Sequence, residues 1–240
     1  VVSGLIMISP LVESDSLSAD ATSGDIIINP DTTWDGDSGI VIYYCSSVAT
    51  LDLITKMSPY NILIIGGSTA TYQAQADVSV TNYMRIWKGS TFLANGRTIT
   101  NAGTLYVGYT SGSDGVFNCG SGTLNNSGLI MVGTATGGVG TLIVSTGMVN
   151  ADNGVAIESN SSLISTGASN IFVTGKWANS GTFTAGAGTV TFDGAGASTI
   201  TGSSTFYNFY CTTADKVLTF GSGVQQTIMN SLVLTGTAAD

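Results

Sequence analysis

Apolar and polar residues alternate in short runs along most of this chain, and from about Met84 the alternation recurs with a period. Gly103-Thr104-Leu105-Tyr106-Val107-Gly108 returns as Gly128-Leu129-Ile130-Met131-Val132-Gly133, offset by 25. Gly115-Val116-Phe117-Asn118-Cys119 returns as Gly140-Thr141-Leu142-Ile143-Val144 with the same offset. Two sub-motifs at one period define a structural repeat whose unit carries at least two short strands. Strand alternation puts Leu105 and Val107 on one face. The offset then stacks Ile130 and Val132 on them, followed by Val155 and Ile157, and stacks Leu142 and Val144 on Phe117 and Cys119. Every stacked position is apolar, as expected of coils that share one core.

The repeat has marked corners. Asn101-Ala102-Gly103, Asn126-Ser127-Gly128, Asn153-Gly154 and Asn179-Ser180-Gly181 are read as successive unit starts, with Asn and Gly supplying left-handed backbone at each turn. Stacked Asn side chains are expected to bond along the axis as a ladder. Towards the C-terminus a period of 28 emerges: Val190-Thr191-Phe192 matches Leu218-Thr219-Phe220, Ile200 matches Ile228, and Phe206 matches Leu234. Earlier in the chain, Ile26-Ile27-Ile28, Ile40 to Tyr44 and Ile62 to Ile65 read as apolar strands of first coils or a cap. Leu51, Ile54 and Met57 recur every three residues and allow a short helix between Val48 and Met57. Residues 1–40 stand apart, with seven carboxylates (Glu13, Asp15, Asp20, Asp25, Asp31, Asp35, Asp37) and no base.

The unit Gly-x-Leu-x-Val-Gly followed by Gly-x-Leu-x-Ile is similar to the β-solenoid repeats of autotransporter passenger domains and related bacterial surface proteins. Gly188 to Gly194, continuing through Ile200-Thr201-Gly202-Ser203 to Phe206-Tyr207-Asn208-Phe209, resembles repeats of very large secreted surface proteins. Together they span roughly Gly103 to Leu234. The resemblance implies a fold, and a role at the cell surface, more than any reaction, since such repeats serve adhesins, matrix proteins and enzymes alike.

Composition narrows this picture. Hydrophobic residues make up 43% of the chain, enough for a continuous core, while only 9% are charged and 32 residues are Gly. Strands and Gly-rich turns are therefore the default. A net charge of -9 with six Lys and Arg argues against nucleic acid or an anionic membrane as a partner. No apolar run approaches the roughly 20 residues of a membrane helix. The start at Val1 fits a secreted protein or a piece of a longer precursor.

Candidate chemistry is sparse. The absence of His removes Ser-His-Asp, Cys-His and His-based zinc sites. Cys45, Cys119 and Cys211 lie several coils apart, at about 4.8 Å of rise each, beyond the roughly 7 Å limit of a disulfide, so three free thiols are expected. Asp31, Asp35 and Asp37 offer three oxygens to calcium, but without EF-hand spacing turn formation is the commoner role. Asp114, Asp152, Glu158, Asp193 and Asp215 fall mostly at turns. Arg85, Lys88 and Arg97 near Asp77 form the one lyase-like grouping. Thr182/Thr184, Thr189/Thr191 and Thr199/Thr201 resemble the faces of ice-binding solenoids, although Thr is an ordinary outward strand residue. Tyr106, Met131, Tyr207 and Tyr210 are expected outward, as a lateral contact surface.

These readings converge on an all-β chain: a right-handed parallel β-helix with coils of about 25–28 residues over 41–240 and an atypical assembly or capping segment over 1–40. The function expected is that of a non-catalytic structural subunit of an extracellular filament or cell-surface layer, without cofactor or metal, that associates with itself head to tail. Val1, Val2, Leu5, Ile6, Met7 and Ile8 on one side, and Leu232 and Leu234 in an uncapped last coil on the other, are the expected contact. The rival is a carbohydrate-binding or carbohydrate-cleaving β-helix, an adhesin or a polysaccharide lyase, with glycans as partners.

Overall fold

The computed structural model describes residues 16–20, 40–44, 50–53, 58–67 and 69–235 of the 240-residue chain. These residues form strands and turns with no helix among them. After β1 (Ser16–Asp20) come coils with two described strands each: β2 (Ile40–Tyr44) and β3 (Thr50–Asp52), β4 (Tyr60–Gly66) and β5 (Thr71–Gln73), then β6 (Val78–Ile86) and β7 (Ser90–Leu93). Full coils of three follow: β8 (Thr98–Asn101), β9 (Leu105–Val107) and β10 (Asp114–Gly120); β11 (Thr123–Asn126), β12 (Ile130–Val132) and β13 (Val139–Val144). Next come β14 (Met148–Ala151), β15 (Gly154–Ile157) and β16 (Ser162–Ser165), and β17 (Asn170–Val173), β18 (Lys176–Asn179) and β19 (Thr182–Thr184). The chain finishes with β20 (Thr189–Phe192), β21 (Ala197–Thr201), β22 (Ser204–Cys211), β23 (Val217–Phe220) and β24 (Gln226–Leu234).

Each strand pairs in parallel with its counterpart one coil on, giving a β-solenoid of about eight turns. One column runs β1, β2, β4, β6, β9, β12, β15, β18, β21, β23. A second runs from the first half of β6 through β8, β11, β14, β17 and β20 to the later halves of β22 and β24. The third is β3, β5, β7, β10, β13, β16, β19. Neighbouring coils therefore satisfy each other's backbone groups along the axis, and the side chains decide only what fills the interior.

The expected stacks are present. Leu105, Ile130 and Val155 pair in sequence, as do Val107, Val132 and Ile157, and all six are buried. Phe117 pairs with Leu142, while a bulge at Cys119 brings Val144 opposite Gly120 instead. Larger side chains fill the later coils: Trp177 meets Phe183 at 4.9 Å and Phe206 at 5.4 Å between ring centroids, and Phe192 stacks on Phe209 at 5.0 Å. Trp177 keeps its indole N–H satisfied by donating to Ser204 Oγ at 3.0 Å, which removes the cost of burying that group.

The period of 28 is not the register of the last coils. Val190 pairs with Phe209, Ile200 with Phe220 and Phe206 with Ile228, so the steps shorten to 19, 20 and 22. The false match arose because Val190 lies in the second column and Leu218 in the first, and two faces of similar composition mimic a repeat. Thr50–Asp52 is a strand where a helix was allowed by the spacing, held by Leu51 pairing with Tyr72; residues 54–57 lie outside the described residues.

The corners follow expectation only in part: of Gly103, Gly128, Gly154 and Gly181, Gly154 has positive φ, at 95°. Asn101 Nδ2 donates to Asn126 Oδ1 at 2.6 Å, and each Asn also donates to the carbonyl of its own Gly, at 2.7 Å, so the ladder exists. It stops there: Ala151 occupies the next register position, Asn153 is exposed on the turn, and Asn179 sits in another column opposite Ile157. Gly103 and Gly128 are needed for close approach rather than positive φ. A Cβ at Gly128 would lie 2.2 Å from the Gly103 carbonyl carbon, and one at Gly103 would lie 1.5 Å from the Asn82 carbonyl oxygen.

Candidate functional site

The final coil is where the core comes to the surface. Leu232 pairs with buried Phe209 and Leu234 with buried Cys211, so both occupy inward positions, yet they are 54% and 59% exposed. Phe220, which continues the Trp177 and Ile200 row, is 50% exposed. Among the described residues no strand pairs with the outer edge of β23 or β24. A cavity of about 270 Å³ opens between Phe209, Phe220, Val224, Ile228, Leu232 and Leu234. Chemically this is an apolar floor beside a row of free backbone donors and acceptors, the template for another parallel rung.

Leu232 and Leu234 thus lie together at one end of the solenoid. Val1, Val2, Leu5, Ile6, Met7 and Ile8 lie outside the described residues, as do Cys45 and the three acidic residues Asp31, Asp35 and Asp37. Cys119 and Cys211 are free and buried. Burial pushes the Cys119 thiol up to about 12, against a smaller opposing effect of a hydrogen bond from the Leu124 backbone. It is a core side chain, not a nucleophile.

The acidic residues are dispersed. Asp77 Oδ1 accepts from the Thr98 backbone N–H at 2.9 Å, a turn contact, and Asp193 Oδ1 accepts from Thr174 Oγ1 at 2.9 Å. Among the described residues no group of three or more Cys, Asp or Glu is placed to hold a metal. The three Thr-x-Thr pairs fall on β19, β20 and β21, which belong to three different columns, so they do not build one flat face.

The basic grouping separates. Arg97 is exposed on the turn after β7, whereas Arg85 projects from the outward face of the first column. Its guanidinium carbon lies 3.9 Å from the Tyr109 ring centroid, 4.4 Å from Tyr83 and 5.5 Å from Tyr106. Tyr106 touches both other rings edge-on, at 5.0 Å to Tyr109 and 6.4 Å to Tyr83. Lys88 Nζ lies 4.8 Å from the Trp87 ring and 5.4 Å from Tyr44. The sequence period concealed this cluster: Arg85 pairs with Tyr106, a step of 21, whereas a step of 25 would have placed Tyr106 against Thr81. Three Tyr within one coil of an Arg was the available signal.

No protein-family model matches this chain, and no curated protein or solved structure matches it.

Proposed function

We propose that this chain is a structural subunit that assembles end to end, as a secreted filament or part of a cell-surface layer, and that it performs no catalysis of its own. The reading rests chiefly on the last described coil, in which Leu232 and Leu234 stand at core positions yet are more than half exposed. Resemblance of the repeat to those of secreted surface proteins supports the setting. In the assembly, a second copy supplies the missing rung, and the apolar segment from Val1 to Val12 is the part that docks. Backbone pairing along β24 needs no particular receptor sequence. A head-to-tail contact of this kind is heterologous, and it propagates as a fibre unless the rotation closes a ring.

The magnitudes are adequate. Burying three or four of Val1, Val2, Leu5, Ile6, Met7 and Ile8 would contribute on the order of 5 to 10 kcal/mol before the costs of association. The low fraction of charged residues leaves little repulsion along the flanks to oppose contact. Deletion of residues 1–12 tests the docking element. The truncated protein is expected to remain folded and β-rich by circular dichroism and to run as a monomer in sedimentation velocity. A truncated protein that still polymerises would move the contact to rung stacking or lateral surfaces.

A further inference from the structure

Arg85 is held by aromatic rings and not by a carboxylate. Among the described residues its guanidinium makes no hydrogen bond and no ion pair, and its Nε is buried without a partner. Instead the cation is held by rings: Tyr109 and Tyr83 approach it most closely, and Tyr106 braces both. Ring contacts of this kind fix the plane of a guanidinium and leave its terminal N–H fork unsatisfied, and a preorganised fork matches a carboxylate bidentately. The half-exposed Tyr rings beside it add flat apolar area with hydroxyl tips. On the turn that follows β6, Lys88 rests on Trp87 and Tyr44, a second cation on an aromatic support. In a chain with six bases and a net charge of -9, two such arrangements, one on β6 and one on the turn directly after it, concentrate the positive charge.

The backbone beneath is already committed. Met84 N–H donates to the Thr104 carbonyl, Leu105 N–H to Leu129, Trp87 N–H to Ile65 and Gly108 N–H to Ile86. A peptide strand therefore finds no edge here to pair with, and a ligand has the rings, the guanidinium and the hydroxyls. Those groups suit a pyranose that carries a carboxylate: its C–H face lies on an aromatic ring and its acid meets the fork of Arg85. We infer that the outward face of the first column, centred on Arg85, Tyr83, Tyr106 and Tyr109, binds uronic acid residues of an acidic polysaccharide. This goes beyond end-to-end assembly and does not depend on it, since the site lies on the side of the solenoid and the open coil at its end.

The test is isothermal titration of the full chain with oligogalacturonate, its methyl ester and polyglutamate. Binding of oligogalacturonate is expected, with loss of at least about tenfold in affinity in Arg85→Ala, since a hydrogen-bonded charge pair is removed. Arg85→Lys should also lose affinity, because it retains charge without the fork, and Tyr109→Ala should weaken binding with an unchanged salt dependence. Unfolding curves of each variant, expected to overlay the parent's, separate lost binding from lost fold. Equal binding of the methyl ester, equal binding of polyglutamate, or full affinity in a folded Arg85→Ala protein would each overturn the assignment.

Discussion

Ile130 shows what a single position contributes. It is fully buried between Leu105 and Val155, so truncation to Ala removes contacts on both neighbouring coils. Ile130→Ala is expected to cost about 2–5 kcal/mol in urea unfolding, and Ile130→Asp more, because it puts a charge in the dry interior. Asn126 makes a different case. Its Oδ1 accepts from Asn101 and its Nδ2 donates to Gly128, so Asn126→Ala removes one buried and one part-buried hydrogen bond and should cost about 1–3 kcal/mol. The outward pair Asn125 and Asn150, also 2.6 Å apart but partly in water, should matter less. Cys119 adds a pH signature. Its folded pKa of about 12 lies above the ordinary 9.0, so its stabilising neutral form is fully present below about pH 9 and is lost as pH climbs towards 12. The alkaline fall in the urea midpoint should accordingly be steeper for the parent than for Cys119→Ala.

Elements here are too short to stand alone, and each strand exists because the next coil completes it. Gly128 demonstrates the dependence: a Cβ there would meet the Gly103 backbone, so Gly128→Ala should force neighbouring coils apart at that corner and cost about 1–3 kcal/mol by thermal or urea unfolding. The columns through Leu105, Ile130 and Val155 were legible in the sequence because Gly corners bracket a constant step of 25. The last coils were not, because Trp177, Phe183, Phe206 and Phe209 fill the interior with fewer, larger side chains and permit a shorter coil. The Arg85 cluster was not legible either, because it depends on a step of 21 that no repeated motif announces.

At the scale of the molecule, a solenoid has sides and ends, and the two present different chemistry. Among the described residues the sides carry few charges beside the Arg85 and Lys88 aromatic stretch, while the end at β24 leaves Leu232 and Leu234 exposed at core positions and Ile228 partly buried. The proposed assembly uses that end. Substituting Leu232→Asp together with Leu234→Asp tests it without disturbing the buried core, because both side chains are exposed in the single chain. Electron microscopy of the purified parent and of this double variant, at matched concentration and with matching circular dichroism, is the direct measurement. Uniform fibres from the parent and dispersed particles from the variant are the predicted result; dispersed particles from the parent, or the same fibres from the variant, would contradict it.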